Sequence, residues 1–96
     1  MTTFELEFLP SARKEWDKLG SSIRIQFTKK LRERLTNPRI ASARLNDMPD
    51  CYKIKLRAAG YRLVYRVYDD RIVVQVIAVG RRERNLVYKL AAGRVG

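Results

Sequence analysis

Polar and apolar residues alternate over Thr3-Phe4-Glu5-Leu6-Glu7-Phe8, which places Phe4, Leu6 and Phe8 on one face of a strand. Pro10 breaks that strand, and Ser11 stands where it can cap a short helix. In this helix Ala12, Trp16 and Leu19 recur at helical spacing, while Arg13, Lys14, Asp17 and Lys18 face outward. Gly20 ends it, and Ser21 or Ser22 caps a second helix. There Ile23, Phe27, Leu31 and Leu35 recur every four residues, a core-facing stripe that stops at Pro38.

The period then changes from four to two. Cys51 to Arg57 alternates, with Tyr52, Ile54 and Leu56 on one face and Lys53, Lys55 and Arg57 on the other. Ala58-Ala59-Gly60 makes a compact turn, where Gly60 can take a positive φ. Tyr61 to Tyr68 is β-branched and aromatic, Asp69-Asp70 turns the chain again, and Arg71 to Val79 reads as an interior strand ended by Gly80. A last helix is expected over Glu83 to Ala92, its apolar side carried by Leu86 and Leu90. The order β-α-α-β-β-β-α predicts one α+β domain over residues 1–96. Two antiparallel helices should pack on one face of a four-stranded, mainly antiparallel sheet, followed by a short C-terminal helix.

Charge changes this picture most. Twenty-one Lys and Arg face ten Asp and Glu, a net of +11, and the chain has no histidine. A Ser-His-Asp triad, an imidazole acid–base pair and a His-containing zinc site are therefore excluded. A single Cys excludes an intramolecular disulfide and a Cys₄ metal site, which suits a reducing cytoplasm. No apolar run approaches the roughly 20 residues that span a bilayer, and no signal-peptide core opens the chain. Residues 1–50 carry a net of +3 and residues 51–96 a net of +8, with no linker between them. The expected partner is a polyanion: nucleic acid first, an acidic protein second, a membrane surface last.

Several basic positions can be read in two ways. Lys53, Lys55 and Arg57 are spaced about 7 Å apart on one strand face, which fits either successive phosphates or a solvated sheet surface. If Lys53, Lys55 and Arg62 converge, mutual repulsion favours a neutral lysine. Lys29, Lys30, Arg32 and Arg34 form the wet side of the second helix or supply accessory phosphate contacts. Arg81, Arg82 and Arg84 follow a buried strand and open a helix, where backbone N–H groups also favour anions. Tyr88 either stacks on an unpaired base beside these arginines or closes the last helix as a core residue. Tyr61 and Tyr65 read as core, and Cys51 as a small buried hydrophobe. The aspartates are too few, and too close to turns, for a two-metal nuclease.

The blocks Met48-Pro49-Asp50-Cys51-Tyr52-Lys53-Ile54-Lys55-Leu56-Arg57, Gly60-Tyr61-Arg62-Leu63-Val64-Tyr65 and Val79-Gly80-Arg81-Arg82-Glu83-Arg84 with Val87-Tyr88 closely resemble the RelE toxins. Ala12 to Leu19 matches as well, so the resemblance covers nearly the whole chain. It implies a ribosome-dependent endoribonuclease of a toxin–antitoxin pair that enters the A site of the 70S ribosome, touches ribosomal RNA and cuts the messenger. A cognate RelB-like antitoxin would hold it inactive. The family's catalytic set falls on Lys53, Lys55, Arg62, Arg82 and Tyr88, with Lys29, Lys30, Arg32, Arg57, Arg81 and Arg84 as RNA or ribosome contacts. One departure is Asn46-Asp47 before Met48-Pro49, where the family usually has a basic residue and Gly; it bears on affinity for ribosomal RNA.

The implied reaction uses no metal and no cofactor. A ribose 2′-OH attacks the adjacent phosphorus and expels the 5′-oxygen. In that scheme Lys53 is the base, Lys55 a proton donor or second electrostatic contact, and Arg62 a phosphate clamp. Arg82 stabilises the leaving group and Tyr88 stacks on a messenger base. Arginine does not readily give up a proton, so its part is electrostatic. The competing expectations are a ParE-like gyrase inhibitor of the same superfamily and a non-catalytic RNA-binding module.

Overall fold

A computed structural model describes residues 3–95. Strand β1 (Glu5–Phe8) is followed by helices α1 (Pro10–Asp17) and α2 (Ser21–Thr36), a 3₁₀ turn at Ala41–Ala43, and strands β2 (Cys51–Leu56), β3 (Tyr61–Tyr68) and β4 (Val73–Arg81). Helix α3 (Leu86–Val95) closes the chain. The sheet order is β1-β4-β3-β2, with β1 parallel to β4 and the other two pairings antiparallel. The chain thus crosses from one edge to the other through α1 and α2 before laying down its hairpins.

The sheet is buried on both faces, and a β-bulge explains how. Val64 pairs with Ala78 but Tyr65 pairs with Val76, so Ile77 is an extra residue in β4. Alternation slips at that point. Val74, Val76 and Val79 join the core beneath α1 and α2, with Phe27, Leu31, Ile54 and Tyr65. Ile77 and Ala78 face the other way, into a smaller core with Cys51, Val64, Val87 and Ala91 beneath α3. The predicted stripe of the second helix is seen: Phe27 and Leu31 are fully buried, and Ile23 and Leu35 pack against them.

Element ends depart from the sequence reading in instructive ways. Ser11 is not a cap. Pro10 opens α1 at a position whose missing N–H costs nothing, and Leu9 precedes it without a side-chain cap. Gly20, not Ser21 or Ser22, occupies the cap of α2. Gly80 does not end β4, because it pairs with Arg62 inside the ladder. The last helix begins at Leu86 and not at Glu83, since Arg84 (φ 47°) and Asn85 (φ 59°) take left-handed backbone that a helix cannot include. Its buried face is Val87 and Ala91, while Leu86 and Leu90 are exposed. Both pairs have i, i+4 spacing, so periodicity alone could not choose between them.

A polar knot ties α2 to the sheet. Arg34 Nη1 donates to Tyr65 Oη at 2.9 Å and to the Lys53 carbonyl at 3.2 Å, and Tyr65 Oη donates to the Pro38 carbonyl at 2.6 Å. Arg34 is therefore half-buried and not part of the wet side of α2. Its spacing from Phe27 and Leu31 (i+7 and i+3) sets it at the border of the apolar stripe. Arg39 adds a second tie, pairing with Asp50 at 3.0 Å and Asp69 at 2.6 Å. The Asp69 turn ends in strain: Ile72, β-branched, has φ 54°.

Two stability measurements follow. Tyr65→Phe removes both hydroxyl bonds from a fully buried site and should cost about 1–3 kcal/mol in denaturant unfolding. A loss below about 0.5 kcal/mol would mean that the knot is not structural. Ile72→Gly relieves the left-handed backbone at an exposed position. It should raise stability by about 1 kcal/mol, seen as a melting temperature some 4–8 °C higher.

Candidate active site

The face of the sheet beneath α3 carries the charged residues of β2 and β3. Lys53 stands opposite Val64, a residue of the α3-side core, so the lysine points to that face. Two residue pairs further along the hairpin, and so on the same face, Lys55, Arg62 and Gly80 form a row across three strands. Gly80 makes room for a close approach there, since a Cβ would meet Val87 Cγ2 at 3.3 Å and push that side chain outward by a few tenths of an ångström. The helix can therefore settle low over the row.

Those residues open onto a cleft of about 110 Å³ lined by Lys55, Arg62, Arg81, Arg82 and Tyr88, with Glu83 the one carboxylate in its wall. Three separated stretches build it: the β2–β3 hairpin, the loop after β4, and the first turn of α3. The loop is held in place by its backbone, with Arg82 N–H donating to the Gly60 carbonyl at 2.7 Å. Arg81 lies over the Tyr61 ring, its Cζ 5.6 Å from the centroid. Tyr88 is half-buried: its body packs on the smaller core, as the core expectation has it, and it also lines the cleft.

Arg62 is 7% exposed and donates to the Tyr61 carbonyl at 2.9 Å. No carboxylate among the described residues forms an ion pair with it. Lys55 sits among cations, and its pKa is lowered from the ordinary lysine value, first by the charge of Lys53, then by desolvation, then by Arg62 and Arg57. A lowered pKa makes its ammonium a better acid.

Lys53 itself lines an adjoining trough of about 340 Å³ with Arg34, Ser42, Ala43, Lys55 and Arg57. Lys55 is common to both cavities and joins them. Of the other expected contacts, Arg57 and Arg81 border these cavities. Arg84 does not line the cleft and instead turns to a side pocket with Glu83, Leu86 and Lys89. The expected helix start at the arginine cluster is also absent, because Arg82 to Asn85 form a loop. Lys29, Lys30 and Arg32 are exposed on α2, across the sheet from the cleft. The sequence reading missed Ser42 and Asn85, and it named Arg34 without its tie to Tyr65. Ser42 and Asn85 had no local signal, because only the tertiary fold brings them to the cavities.

Known proteins share this sequence and fold. The family model for the ParE toxin of type II toxin–antitoxin systems matches residues 6–86. The mRNA interferase toxin RelE of Escherichia coli is 58% identical over 90 residues, covering 94% of this chain and 95% of the relative. The mRNA interferase RelE of Shigella flexneri matches equally well, with 58% identity over the same shares of each chain. Among solved structures, a free mutant form of E. coli toxin RelE superposes with a TM-score of 0.91 at 53% identity, covering 99% of this chain and 100% of that one. The E. coli RelBE toxin–antitoxin complex gives 0.81 at 58% identity, over 84% of this chain and 99% of its toxin chain. With a shared superfamily model, and this identity to RelE along almost its full length, the chain belongs to the RelE toxins of the RelE/ParE superfamily.

Proposed function

We propose that this chain, a type II toxin–antitoxin toxin and an endoribonuclease of the mRNA interferase kind, cuts messenger RNA in the A site of the 70S ribosome by internal attack of a ribose 2′-OH. The observation that carries the proposal is the convergence of Lys55, Arg62, Arg82 and Tyr88 on one cleft, with Lys53 beside it. The 2′-oxygen bonds to phosphorus as its proton passes to Lys53, the base in this reading. The bond from phosphorus to the 5′-oxygen breaks, and Lys55 gives that oxygen a proton. The products are a 2′,3′-cyclic phosphate and a 5′-hydroxyl. Arg62 holds the phosphoryl oxygens from within the sheet, Arg82 stabilises charge on the leaving side, and Tyr88 stacks on a messenger base. Once Lys53 holds that proton, its charge lowers the Lys55 pKa, which supports Lys55 as the donor. Lysine, arginine and tyrosine form a weak acid–base set without preorganised substrate, so the ribosome's part is to hold the messenger in line for attack.

Arg81 lines the cleft, Arg57 the adjoining trough and Arg84 a side pocket, and Lys29, Lys30 and Arg32 lie on the opposite layer. In this reading they contact ribosomal RNA. A RelB-like antitoxin, acidic and extended, covers the basic face, in keeping with the RelBE complex of E. coli and with a related RelE mutant bound to a RelB peptide. The work lies in the cytoplasm with the ribosomes; no helix among the described residues is long and apolar enough to cross a membrane. One observation favours a second reading, gyrase inhibition, namely the ParE description of the matching family model. The complete cationic set at the cleft weighs against it.

Programmed ribosomes separate these readings. Purified protein should produce new messenger 5′ ends in the A-site codon, mapped by primer extension, and Arg82→Ala should slow that cleavage by about 10²-fold or more. Uncut messenger, or a variant equal to wild type, would overturn the ribonuclease; gyrase inhibition without cleavage would establish the second reading. A pH measurement tests the donor. Arg57 helps to lower the Lys55 pKa, so Arg57→Ala raises it toward the ordinary value. The ammonium then persists to higher pH, and the alkaline limb of the single-turnover rate profile should move upward. A limb that stays in place contradicts Lys55 as the donor.

A further inference from the structure

Helix α3 supplies Tyr88 to the cleft and sits on the smaller core, with Tyr88 and Val95 packed at its border. Val87 and Ala91 are its buried residues, and Leu86 and Leu90 face solvent. At ten residues it is too short to be stable apart from its tertiary contacts. A further hold comes from the far end. Arg94 Nη1 and Nη2 donate to Glu15 Oε1 and Oε2 at 2.9 and 3.0 Å, joining the last turn of α3 to α1. The pair also grips β4: Arg94 Nη1 donates to the Ile77 carbonyl at 2.9 Å, and Val79 N–H donates to Glu15 Oε1 at 3.2 Å.

These two backbone groups need partners for a topological reason. The register of β1 with β4 ends at Phe8 and Val76, because Pro10 turns the chain into α1. Beyond Val76 that side of β4 has no neighbouring strand, and Ile77 O and Val79 N–H would otherwise be left on a half-covered edge. Glu15 and Arg94 stand in for the missing strand. Their side chains are 24% and 21% exposed, while each of the other ion pairs has both members 38% exposed or more. This pair is thus shielded from the solvent screening that weakens surface ion pairs.

We propose that Glu15 and Arg94 are positioning residues for catalysis: their ion pair, anchored on the uncovered edge of β4, fixes α3 so that Tyr88 is held at the cleft. Arg94 lies six residues beyond Tyr88, about 9 Å along the helix, so neither member of the pair touches the substrate. The claim about catalysis rests on the ribonuclease reading above; the claim about the helix does not.

Two measurements on the full-length protein test it: amide hydrogen exchange, and single-turnover cleavage on programmed ribosomes over a range of ribosome concentrations. In Arg94→Ala, amides of Val87 to Val95 should exchange at least about tenfold faster while those of β3 keep wild-type protection. The saturating rate should fall by about tenfold, with half-saturation changed less than twofold. Arg94→Lys keeps one charged contact and should recover part of both effects, and it replaces Arg94→Ala should that variant fail to fold. Glu15→Gln should loosen the same helix, since the double ion pair is lost. Unchanged α3 exchange in these variants would overturn the proposal, as would faster exchange spread over the whole sheet. Loosening of α3 with an unchanged saturating rate would overturn the positioning role. If the wild type does not cleave, the ribonuclease reading fails, and the exchange data still decide whether the pair fixes the helix.

Discussion

A guanidinium buried without a carboxylate sets the terms for this protein. Taking an ion out of water costs on the order of several kcal/mol unless it is compensated. Arg62, at 7% exposure, has the Tyr61 carbonyl as a neutral partner and no ion pair among the described residues. Lys53, Lys55, Arg81 and Arg82 gather near it against one carboxylate, Glu83, in the wall of the cleft. The fold holds this repulsion because the two cores and the polar knot at Tyr65 supply stability elsewhere. In the proposed reaction the phosphodiester of the messenger offsets it. Affinity for the substrate's charge and the lowered pKa of Lys55 are then two consequences of a single arrangement.

The scaffold's irregular features serve that arrangement. The bulge at Ile77 lets β4 bury apolar residues toward both layers, which brings α3 against the sheet. Gly80 lets Val87 approach the row occupied by Arg62, and two left-handed residues, Arg84 and Asn85, end the arginine loop before α3 begins. Tyr88 consequently meets Arg82 across a cleft.

Much of this was legible in the residue pattern, for definite reasons. The strand β3 was bounded correctly because aromatic and β-branched residues lie between two turn signals. The stripe Ile23, Phe27, Leu31 and Leu35 was legible because one face of a long helix is buried. What failed was decided by tertiary contacts. Leu86 and Leu90 have the same spacing as Val87 and Ala91, and the direction of approach of α3 chooses between them. Arg34 counted as a surface cation until Tyr65 and the Lys53 carbonyl were seen beneath it. The assignment of Lys53, Lys55, Arg62, Arg82 and Tyr88 came from family resemblance, since spacing alone left each of them two readings. The structure adds that four of them share a cleft and that the fifth lines the adjoining trough.

The central claim is that a metal-free cluster of cations drives attack by the messenger's own 2′-OH. The chemistry of the new ends tests this most directly. Downstream fragments from programmed ribosomes should accept label from polynucleotide kinase without prior phosphatase treatment, and the upstream fragments should have the mass of a 2′,3′-cyclic phosphate. Downstream fragments bearing a 5′-phosphate, with 3′-hydroxyl ends upstream, would mean that water is the nucleophile and would contradict the account.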